Sequence, residues 1–424
     1  MNHNLKDLDV ISDILPLFDY TLNDFSKEVL SEMLLLPLNG IPEILERQNI
    51  IKAFLKNYEV FETYSYSKSD FHEIFSFLRD NSLSAKKKLF GLTLFFPEKQ
   101  KQQLRSKIIQ FVIVFNKIES SISQKLNTDN LPAAYRNEFT GLINFLSSLK
   151  LKYYDTLIRE SKLRTHHAIA LFQIIKDKQQ DNEFELFYKR LFQFETYISI
   201  AKSIYKNKFG FPSFTPDKIH FEGIFHPLLK DPVSNNVTFE KNVNLITGPN
   251  MSGKSTFLKS VCLSIYLGHL GFAVPASKAE FPFFEYFSIA VNQNDDIKKG
   301  YSHFMTEIIG LKNVLEQAGA HKKCFVVFDE LFKSTNIDDA IQITLTTIRG
   351  LLKFKNSFFF ISTHLQQLKA SPDVSSDKSG KYYIDCSIEN NTPVFTYKLK
   401  EGWSDMKIGQ LLFEKEGLNR LLSS

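Results

Sequence analysis

Ten consecutive residues, Thr247–Thr256, contain the pattern G-x-x-x-x-G-K-S, which runs from Gly248 to Ser255. Glycines at this spacing let the backbone wrap closely around an anion, so that several N–H groups point inward at it. The lysine of such a loop reaches the β- and γ-phosphates of a nucleotide, and the serine hydroxyl binds Mg²⁺. The segment therefore predicts a P-loop (Walker A), with Lys254 on the phosphates and Ser255 on the metal ion.

The sequence on either side of this loop fits a phosphate site. Val243–Thr247 has the composition of a buried strand, and Ser255–Leu267 has that of a helix whose N-terminus faces the phosphates. We expect the whole loop to contact the nucleotide through Gly248, Pro249, Asn250, Met251, Ser252, Gly253, Lys254, Ser255 and Thr256.

Two carboxylates follow a second apolar run, in Cys324–Glu330. A buried parallel strand opens its ligand crevice at its carboxyl end, which is where Asp329 and Glu330 would lie. Asp329 is predicted to hold Mg²⁺, directly or through water. Glu330 is predicted to orient or deprotonate the attacking water, which is worth about 10²–10⁴ in rate.

A histidine ends a third apolar run, Phe358–His364. Here an imidazole can sense the γ-phosphate or position the water. A single histidine at such a place is commonly a surface or capping residue. The assignment of His364 to the site therefore depends on the two motifs that precede it.

Strand-like runs alternate with helical ones from about Phe221 onward, which is typical of a parallel sheet covered on both faces. Ser371–Gly380 reads as a polar surface loop. Two further strands, Lys381–Ser387 and Pro393–Leu399, are predicted to form an antiparallel edge. The predicted strands before that edge are Val243–Thr247, Phe287–Val291, Cys324–Phe328 and Ser357–Ser362.

Residues 1 to about 215 have helical periodicity and few glycines. Gln103–Leu126 and Glu138–Leu163 are predicted to be long helices, because apolar residues recur three and four apart. Asn127–Pro132 is predicted to be the turn between them. This half has the pattern of an ordinary helical bundle, and none of its residues indicates catalysis.

The composition of the 424 residues restricts the class of protein. The formal charge of +5 permits nucleic-acid binding without arguing for it. Cys262, Cys324 and Cys386 are too far apart in sequence to indicate a zinc site or a disulfide framework. The first residues have no signal-peptide pattern, and the longest apolar run, Ile108–Phe115, is too short to cross a bilayer. We therefore expect a cytoplasmic protein.

The motifs together resemble those of the MutS mismatch-repair ATPases. The loop Thr247–Thr256 is similar to that family's T-G-P-N-M-x-G-K-S-T, and its Asn-Met pair is more specific than the generic pattern. Other resemblances follow in the family's order. They are His226-Pro227 to R-H-P, Ser302–Glu307 to S-x-F-M-x-E, Phe328–Asn336 to D-E-x-G-R-G-T-S, Ser362–His364 to A-T-H, and Tyr397–Gly409 to the closing glycine and serine stretch. Near the start, Leu36–Ile51 resembles the family's lever segment.

The resemblance implies how the site is completed. In this family two ATPase domains pair head to tail, so it implies a homodimer in which Ser302 approaches the γ-phosphate held by the other subunit. It also implies that Tyr397 packs on the adenine, with Val233 as a weaker candidate for a second contact. The implied ligands are ATP and Mg²⁺, and the implied partner is DNA.

The chain also departs from the family's pattern. Phe332-Lys333-Ser334 stands where the family has G-R-G, and a lysine cannot reproduce the bidentate contacts of an arginine. We expect hydrolysis to be slow or differently coupled. We also expect the mismatch-reading and connector domains to be absent and the DNA clamp to be reduced. Phe71-His-Glu73 matches the family's mismatch-reading F-x-E, but it follows the lever segment, and a chain with 41 Phe produces such matches freely.

We therefore predict a multidomain protein with an all-α lever domain, residues 1–215. An α/β P-loop ATPase domain of the ABC type with a mostly parallel sheet, residues 216–424, would follow it. ATP binding and hydrolysis would move the helical arms on DNA. Three alternatives stay open: an ABC/SMC-like ATPase that acts on a protein partner, a small-molecule P-loop kinase, and a module that binds ATP without turnover.

Overall fold

The computed structural model describes residues 8–79, 97–123, 127–290, 303–332, 335–389, 392–404, 406, 408, 413–415 and 418–422. The chain divides into two compact units. The helical unit contains residues 15–35 and 46–206, and the sheet unit contains residues up to 14, 36–45 and 207 onward. This division differs from the predicted boundary at residue 215, because two early segments group with the sheet unit. The assignment of functional domains stays a prediction.

The described part of the helical unit consists of helices and their connections, as the sequence predicts. Two of these helices, α3 and α10, have end residues that group with the sheet unit. The helices are α1 Leu15–Phe18, α2 Asp24–Leu35, α3 Ile41–Lys56, α4 Tyr58–Glu62, α5 Lys68–Arg79, α6 Glu98–Ser123, α7 Ala133–Ser148, α8 Leu151–Arg159, α9 Thr165–Gln180 and α10 Glu183–Asn207.

The predicted single helix Glu138–Leu163 is wrong, because the chain breaks between α7 and α8. Lys150 adopts a left-handed backbone with φ 53° at the break. Leu149 and Leu151 are both fully buried, whereas a continuous helix would place them roughly 200° apart around its axis. The break therefore allows both leucines to enter the core. The predicted turn at Asn127–Pro132 is confirmed, since α7 begins at the next residue.

Phenylalanines dominate the core of the helical unit. The ring of Phe54 packs against those of Phe61 and Phe194, with centroids 5.1 and 5.4 Å apart. Phe71 is 1% exposed in α5, so its ring belongs to this core and is not available to a DNA base. This burial agrees with the interpretation that Phe71-His-Glu73 matches the family's F-x-E only by chance.

A buried carboxylate lies among these aromatic side chains. Glu195 of α10 accepts hydrogen bonds from Asn23 Nδ2 at 2.5 Å, Ser26 Oγ at 2.9 Å, Tyr64 Oη at 2.8 Å and Tyr66 Oη at 3.0 Å. Burial raises the pKa of Glu195 to about 7, although the four hydrogen bonds oppose that shift. The carboxylate therefore joins α10 to the start of α2 and to the segment between α4 and α5.

The sheet unit begins with a short π-helical turn, Val10–Ile14, and contains two sheets. The smaller sheet, which the sequence did not predict, has the order β1-β5-β2-β3. Its strands are β1 Ser213–Phe214, β2 Ile219–Ile224, β3 Asn235–Phe239 and β5 Lys278–Phe281.

The larger sheet has six strands in the order β10-β9-β4-β8-β7-β6. Neighbouring strands in this sheet are parallel to each other, except that β10 runs antiparallel to β9 at the edge. This confirms the predicted strands and the antiparallel edge to within three residues at each end; Val291 lies outside the described residues. The strands are β4 Val243–Thr247, β6 Tyr286–Ala290, β7 Cys324–Asp329, β8 Phe358–Ser362, β9 Gly380–Glu389 and β10 Thr392–Glu401.

Helices connect these strands and pack against the sheet. The connecting helices are α11 Lys254–His269, α12 His303–Gly319, α13 Ile337–Leu351 and α14 Pro372–Ser375. A 3₁₀ helix at Gln366–Ala370 precedes α14, and a short helix at Leu418–Leu422 follows β10. The segment Ser371–Gly380 is not purely a surface loop, because it contains α14 and buries Val374 completely. Within the described residues, none of the helices is long and apolar enough to cross a membrane.

Candidate functional site

Three adjacent strands end side by side at one edge of the larger sheet, namely the edge formed by the carboxyl ends of its parallel strands. β8 lies between β4 and β7, and Ser362 at its end pairs with Ile246 of β4 and Asp329 of β7. Parallel strands present their carboxyl ends together, and the crevice outside those ends is where α/β sheets bind ligands. The three sequence motifs therefore meet at one place, although they are far apart in the chain.

The loop between β4 and α11 has the backbone of an anion cradle. Gly248 and Gly253 have φ values of 140° and 99°, which side chains with a Cβ rarely adopt. A Cβ added to Gly253 would lie 3.1 Å from the ring of Tyr397. The buried hydroxyl of Ser252 has no hydrogen-bond partner among the described residues. The loop thus combines close backbone approach with a buried polar group, which fits a phosphate.

Lys254, the first residue of α11, is 6% exposed. Its ammonium donates to the carbonyl oxygens of Gly248 at 2.8 Å and Pro249 at 3.1 Å. Burial lowers the pKa of Lys254, and the nearby carboxylates of Glu330 and Asp329 act in the opposite direction. The lysine is therefore a buried cation held by weak neutral acceptors that an anionic ligand can replace.

Three of the remaining loop residues lie at the surface. Met251 has a left-handed backbone with φ 69° and is 73% exposed. Asn250 and Thr256 are also exposed, whereas Pro249 is buried. The sequence predicts that all of these residues contact the nucleotide, and that remains a prediction.

Two oxygen ligands suitable for Mg²⁺ lie together. The Ser255 hydroxyl donates to Asp329 Oδ2 at 2.6 Å, and the Ser362 hydroxyl donates to Asp329 Oδ1. Mg²⁺ is usually bound by one or two protein oxygens together with water and substrate phosphates. The described residues contain no cluster of three or more His, Cys, Asp or Glu side chains that could hold a metal ion without a substrate. Ser255 and Asp329 therefore fit a metal ion that arrives with a nucleotide.

Glu330, the residue after Asp329, is paired with His364. His364 Nδ1 lies 3.1 Å from Glu330 Oε1. That hydrogen bond raises the pKa of His364, against the opposing effect of burial. The backbone N–H of Glu330 also donates to the Ser362 carbonyl at 3.2 Å. Glu330 is consequently held through both its backbone N–H and its side-chain carboxylate.

Tyr397 reaches the loop from β10, where the pairing with β9 is irregular between Phe395 and Leu399. Its backbone is left-handed with φ 56°, its ring lies against Gly253, and its side chain is 46% exposed. An exposed aromatic ring beside a phosphate cradle can stack on a nucleobase.

Asn235 links the two residues that are predicted to contact adenine, Tyr397 and Val233. Its amide Nδ2 lies 3.1 Å from the carbonyl oxygen of Tyr397 and 3.5 Å from that of Val233. Its Oδ1 accepts from the Leu399 N–H at 2.8 Å. Sequence patterns could not predict the role of Asn235, since a single asparagine at the start of a strand carries no motif. Local motifs predict only the positions of residues, so they could not predict the contact of Ser362 with Asp329, which only the strand pairing reveals.

The segment after Glu330 contains the main departure from the expected motif. Phe332 is fully buried with a left-handed φ of 59°, and Glu330 itself has φ 58°. For residues with a Cβ this conformation costs roughly 1–2 kcal/mol each. Ser302, Lys333 and Ser334 lie outside the described residues.

Comparison with known proteins places these motifs in one family. Residues 244–418 match the family model for MutS domain V. The chain is 29% identical over 272 residues to the DNA mismatch repair protein MutS of Leuconostoc mesenteroides, which covers 61% of this chain and 32% of that protein. It is 25% identical over 281 residues to MutS of Shouchella clausii, covering 60% and 32%.

A eukaryotic relative matches a shorter region. The DNA mismatch repair protein MSH3 of Yarrowia lipolytica is 33% identical over 180 residues, or 42% of this chain and 18% of that protein. The chain therefore spans about a third or less of the length of the curated relatives it matches. The domain V match and these relatives agree with the motifs at the sheet edge, and residues 244–418 of this chain carry domain V of the MutS family.

Proposed function

We propose that the sheet unit binds Mg²⁺-ATP and hydrolyses it slowly, in a P-loop ATPase domain of the ABC type. The observation that carries this proposal is the meeting of a phosphate cradle, a metal-binding pair and a base at one sheet edge. Ser255 and Asp329 are 2.6 Å apart there, and Glu330 and His364 are 3.1 Å apart. A P-loop pattern that arose by chance would not be expected to lie beside these two residue pairs.

The proposed chemistry divides among these residues. Lys254 and the N–H groups of the loop hold the β- and γ-phosphates, and Ser255 and Asp329 hold the metal ion. Mg²⁺, when bound, neutralises charge that develops on the phosphate oxygens. Glu330 accepts a proton from the attacking water, and His364 orients the Glu330 carboxylate. Transfer of the γ-phosphoryl group to water then yields ADP and phosphate.

The base of the nucleotide is proposed to lie against Tyr397. The ring of Tyr397 already borders Gly253, so a base stacked on its exposed face would continue directly from the phosphates. Val233 is the proposed apolar contact on the other side. Asn235 would keep both segments in position through the hydrogen bonds described above.

We further propose that nucleotide state is transmitted along α11. This helix begins at Lys254, and the carbonyl of its last residue, His269, accepts a hydrogen bond from the Leu38 N–H at 3.1 Å. Leu38 lies in the segment that resembles the family's lever. A rigid helix with the phosphates at one end and this segment at the other supports coupling between ATP and the helical unit.

DNA is the proposed partner of the helical unit. The support is that the relatives are named as DNA mismatch repair proteins, and the net charge of +5 is compatible with such a partner. Mismatch recognition is not proposed, because Phe71 of the F-x-E match is buried in the core of the helical unit. Binding that depends on phosphate contacts should weaken steeply as salt concentration rises.

The proposed test compares ATP turnover without DNA and with duplex, mismatched, branched and single-stranded DNA. We expect at least one of these DNAs to change the rate. If none of them does, DNA is excluded as the regulator of the ATPase, and a protein partner of the ABC/SMC-like alternative becomes the better account. Salt titrations of the active DNA would measure the number of phosphate contacts.

We also propose that two chains pair through their sheet units, with Ser302 of one completing the site of the other. A trans donor would stabilise the negative oxygens of phosphoryl transfer. Light scattering on Glu330→Gln with saturating Mg²⁺-ATP should give the mass of a dimer. A monomer under these conditions would contradict the composite site but not ATP binding.

A further inference from the structure

Phe332 is an unusual residue for its backbone position. It lies two residues after Glu330, with φ 59°, and it is fully buried. In the motif that this segment resembles, glycine stands here, and glycine adopts this conformation freely. A phenylalanine in its place needs a compensating interaction.

The compensating interaction is burial of the ring. Phe332 belongs to the apolar cluster between the larger sheet and helices α12 and α13. Its ring meets that of Phe304 on α12, with centroids 5.9 Å apart at 66°. Edge-to-face contacts of this kind stabilise aromatic pairs beyond the area they bury. The ring thus anchors the segment after β7 to the first turn of α12.

This anchor can act on Glu330 because the two residues are joined by a single leucine. Glu330 shares the left-handed backbone, and its N–H bonds to Ser362 at 3.2 Å. A cavity of about 60 Å³ borders Glu330, Phe332, Thr335 and His364. Without the ring, the segment has space to move, and the Glu330 carboxylate would move with it.

We propose that Phe332 is a positioning residue whose buried ring fixes Glu330 and thereby sets the rate of ATP hydrolysis without setting ATP affinity. The proposal rests on the proposed ATPase function and adds to it a residue that touches neither nucleotide nor metal. The P-loop lies on another segment. Asp329 is next to Glu330 in sequence, but it ends β7 and is held there by its pairing with β8 and by the hydroxyls of Ser255 and Ser362.

The test uses Phe332→Gly and Phe332→Leu in the full chain. The glycine variant accepts the left-handed backbone without strain but removes the anchor, whereas leucine keeps part of the buried volume. We expect the glycine variant to lose about tenfold in kcat, since small misplacement of a catalytic group costs up to about 10² in rate. The leucine variant should lose less. Affinity for a non-hydrolysable ATP analogue should stay within about twofold.

Hydrogen exchange supplies a second readout. The Glu330 amide should exchange faster in Phe332→Gly, because its bond to Ser362 is no longer held in place. Phe354→Leu is the matched control, since Phe354 packs against the same cluster but lies after α13, away from Glu330. That control should leave both kcat and the exchange of the Glu330 amide unchanged.

The outcomes separate this inference from the proposed function. Unchanged kcat and unchanged exchange in Phe332→Gly would overturn the anchor, as would equal losses of kcat and of analogue affinity. A wild-type chain that binds the analogue but does not turn over ATP would overturn the proposed ATPase and the rate effect together. Faster exchange of the Glu330 amide would in that case still establish the anchor.

Discussion

The ammonium of Lys254 is the buried cation of the phosphate cradle. Among the described residues, it donates hydrogen bonds to the carbonyl oxygens of Gly248 and Pro249, at 2.8 and 3.1 Å. Neutral carbonyl oxygens are weaker partners for an ammonium than phosphate oxygens, because an anionic acceptor adds Coulomb attraction to the hydrogen bond. This arrangement agrees with the proposed nucleotide site, in which phosphate oxygens would replace the carbonyl oxygens as partners of Lys254.

We therefore expect Lys254→Ala to weaken ATP binding by at least ~100-fold, within the range for removing one partner of a buried charge pair. Isothermal titration calorimetry with Mg²⁺-ATP would measure the change. Lys259→Ala, on the same helix but on another face, should retain wild-type affinity. Unchanged affinity in Lys254→Ala would remove the lysine from the phosphate site.

At the scale of single residues, sequence patterns predicted where a residue lies in its strand or loop better than they predicted which residues it contacts. The motifs placed Asp329, Glu330 and His364 at strand ends, and the strand pairing brings them together. They could not predict Asn235 or Phe332, because a residue's partners across a sheet or a core depend on chain segments that no local pattern connects. The roles of Tyr397 and Val233 stay predictions.

Among the helices, the break at Lys150 is the clearest case in which packing overrides periodicity. The apolar pattern of Glu138–Leu163 continues through the break, so periodicity alone predicts one helix. Complete burial of both Leu149 and Leu151 requires two, and the chain accepts a strained lysine to achieve it. The cost of that strain can be measured.

Lys150→Gly should raise the free energy of unfolding of the chain by about 0.5–1 kcal/mol, since glycine adopts positive φ without a steric penalty. Urea denaturation followed by circular dichroism would report it as a higher midpoint. Lys152→Gly, two residues later in the ordinary backbone of α8, should lower stability by a similar amount. A loss of stability in both variants would contradict the strain at residue 150.

Glu195 and its hydrogen-bond partners Asn23, Ser26, Tyr64 and Tyr66 join three parts of the helical unit. The contribution of Glu195 to stability depends on pH. Because the pKa of Glu195 is raised to about 7 in the folded chain, that state keeps its proton where the unfolded chain has lost it. Stability from this group is therefore greatest at low pH and declines as pH rises through the interval from the unfolded pKa to about 7. For most carboxylates, whose pKa is lowered on folding, the contribution to stability instead increases as pH rises.

Glu195→Gln removes the titration while keeping a polar side chain of the same size. Between about pH 5 and pH 8, the wild-type helical unit should lose roughly 2 kcal/mol of stability relative to this variant. Hydrogen exchange of α10 amides, corrected for the intrinsic pH dependence of exchange, would measure the difference. Parallel pH profiles in the two proteins would contradict a raised pKa at Glu195.

At the scale of the whole molecule, the sequence predicted a helical part and an α/β part, but not how the chain is shared between them. Two short segments, before residue 15 and at 36–45, group with the sheet unit although they lie in the helical half of the sequence. Composition could not reveal this, since both are short and mixed in character. The four-stranded sheet was also missed, because its strands lack long apolar runs.

The central claim is that the edge of the larger sheet hydrolyses ATP with Glu330 as the base. The most direct measurement compares ATP affinity and single-turnover rate in the wild type and in Glu330→Gln, both with Mg²⁺. We predict equal affinity and a rate at least ~100-fold lower in the variant, within the range for a lost general base. Equal turnover in the two proteins, or no turnover in the wild type, would contradict the account.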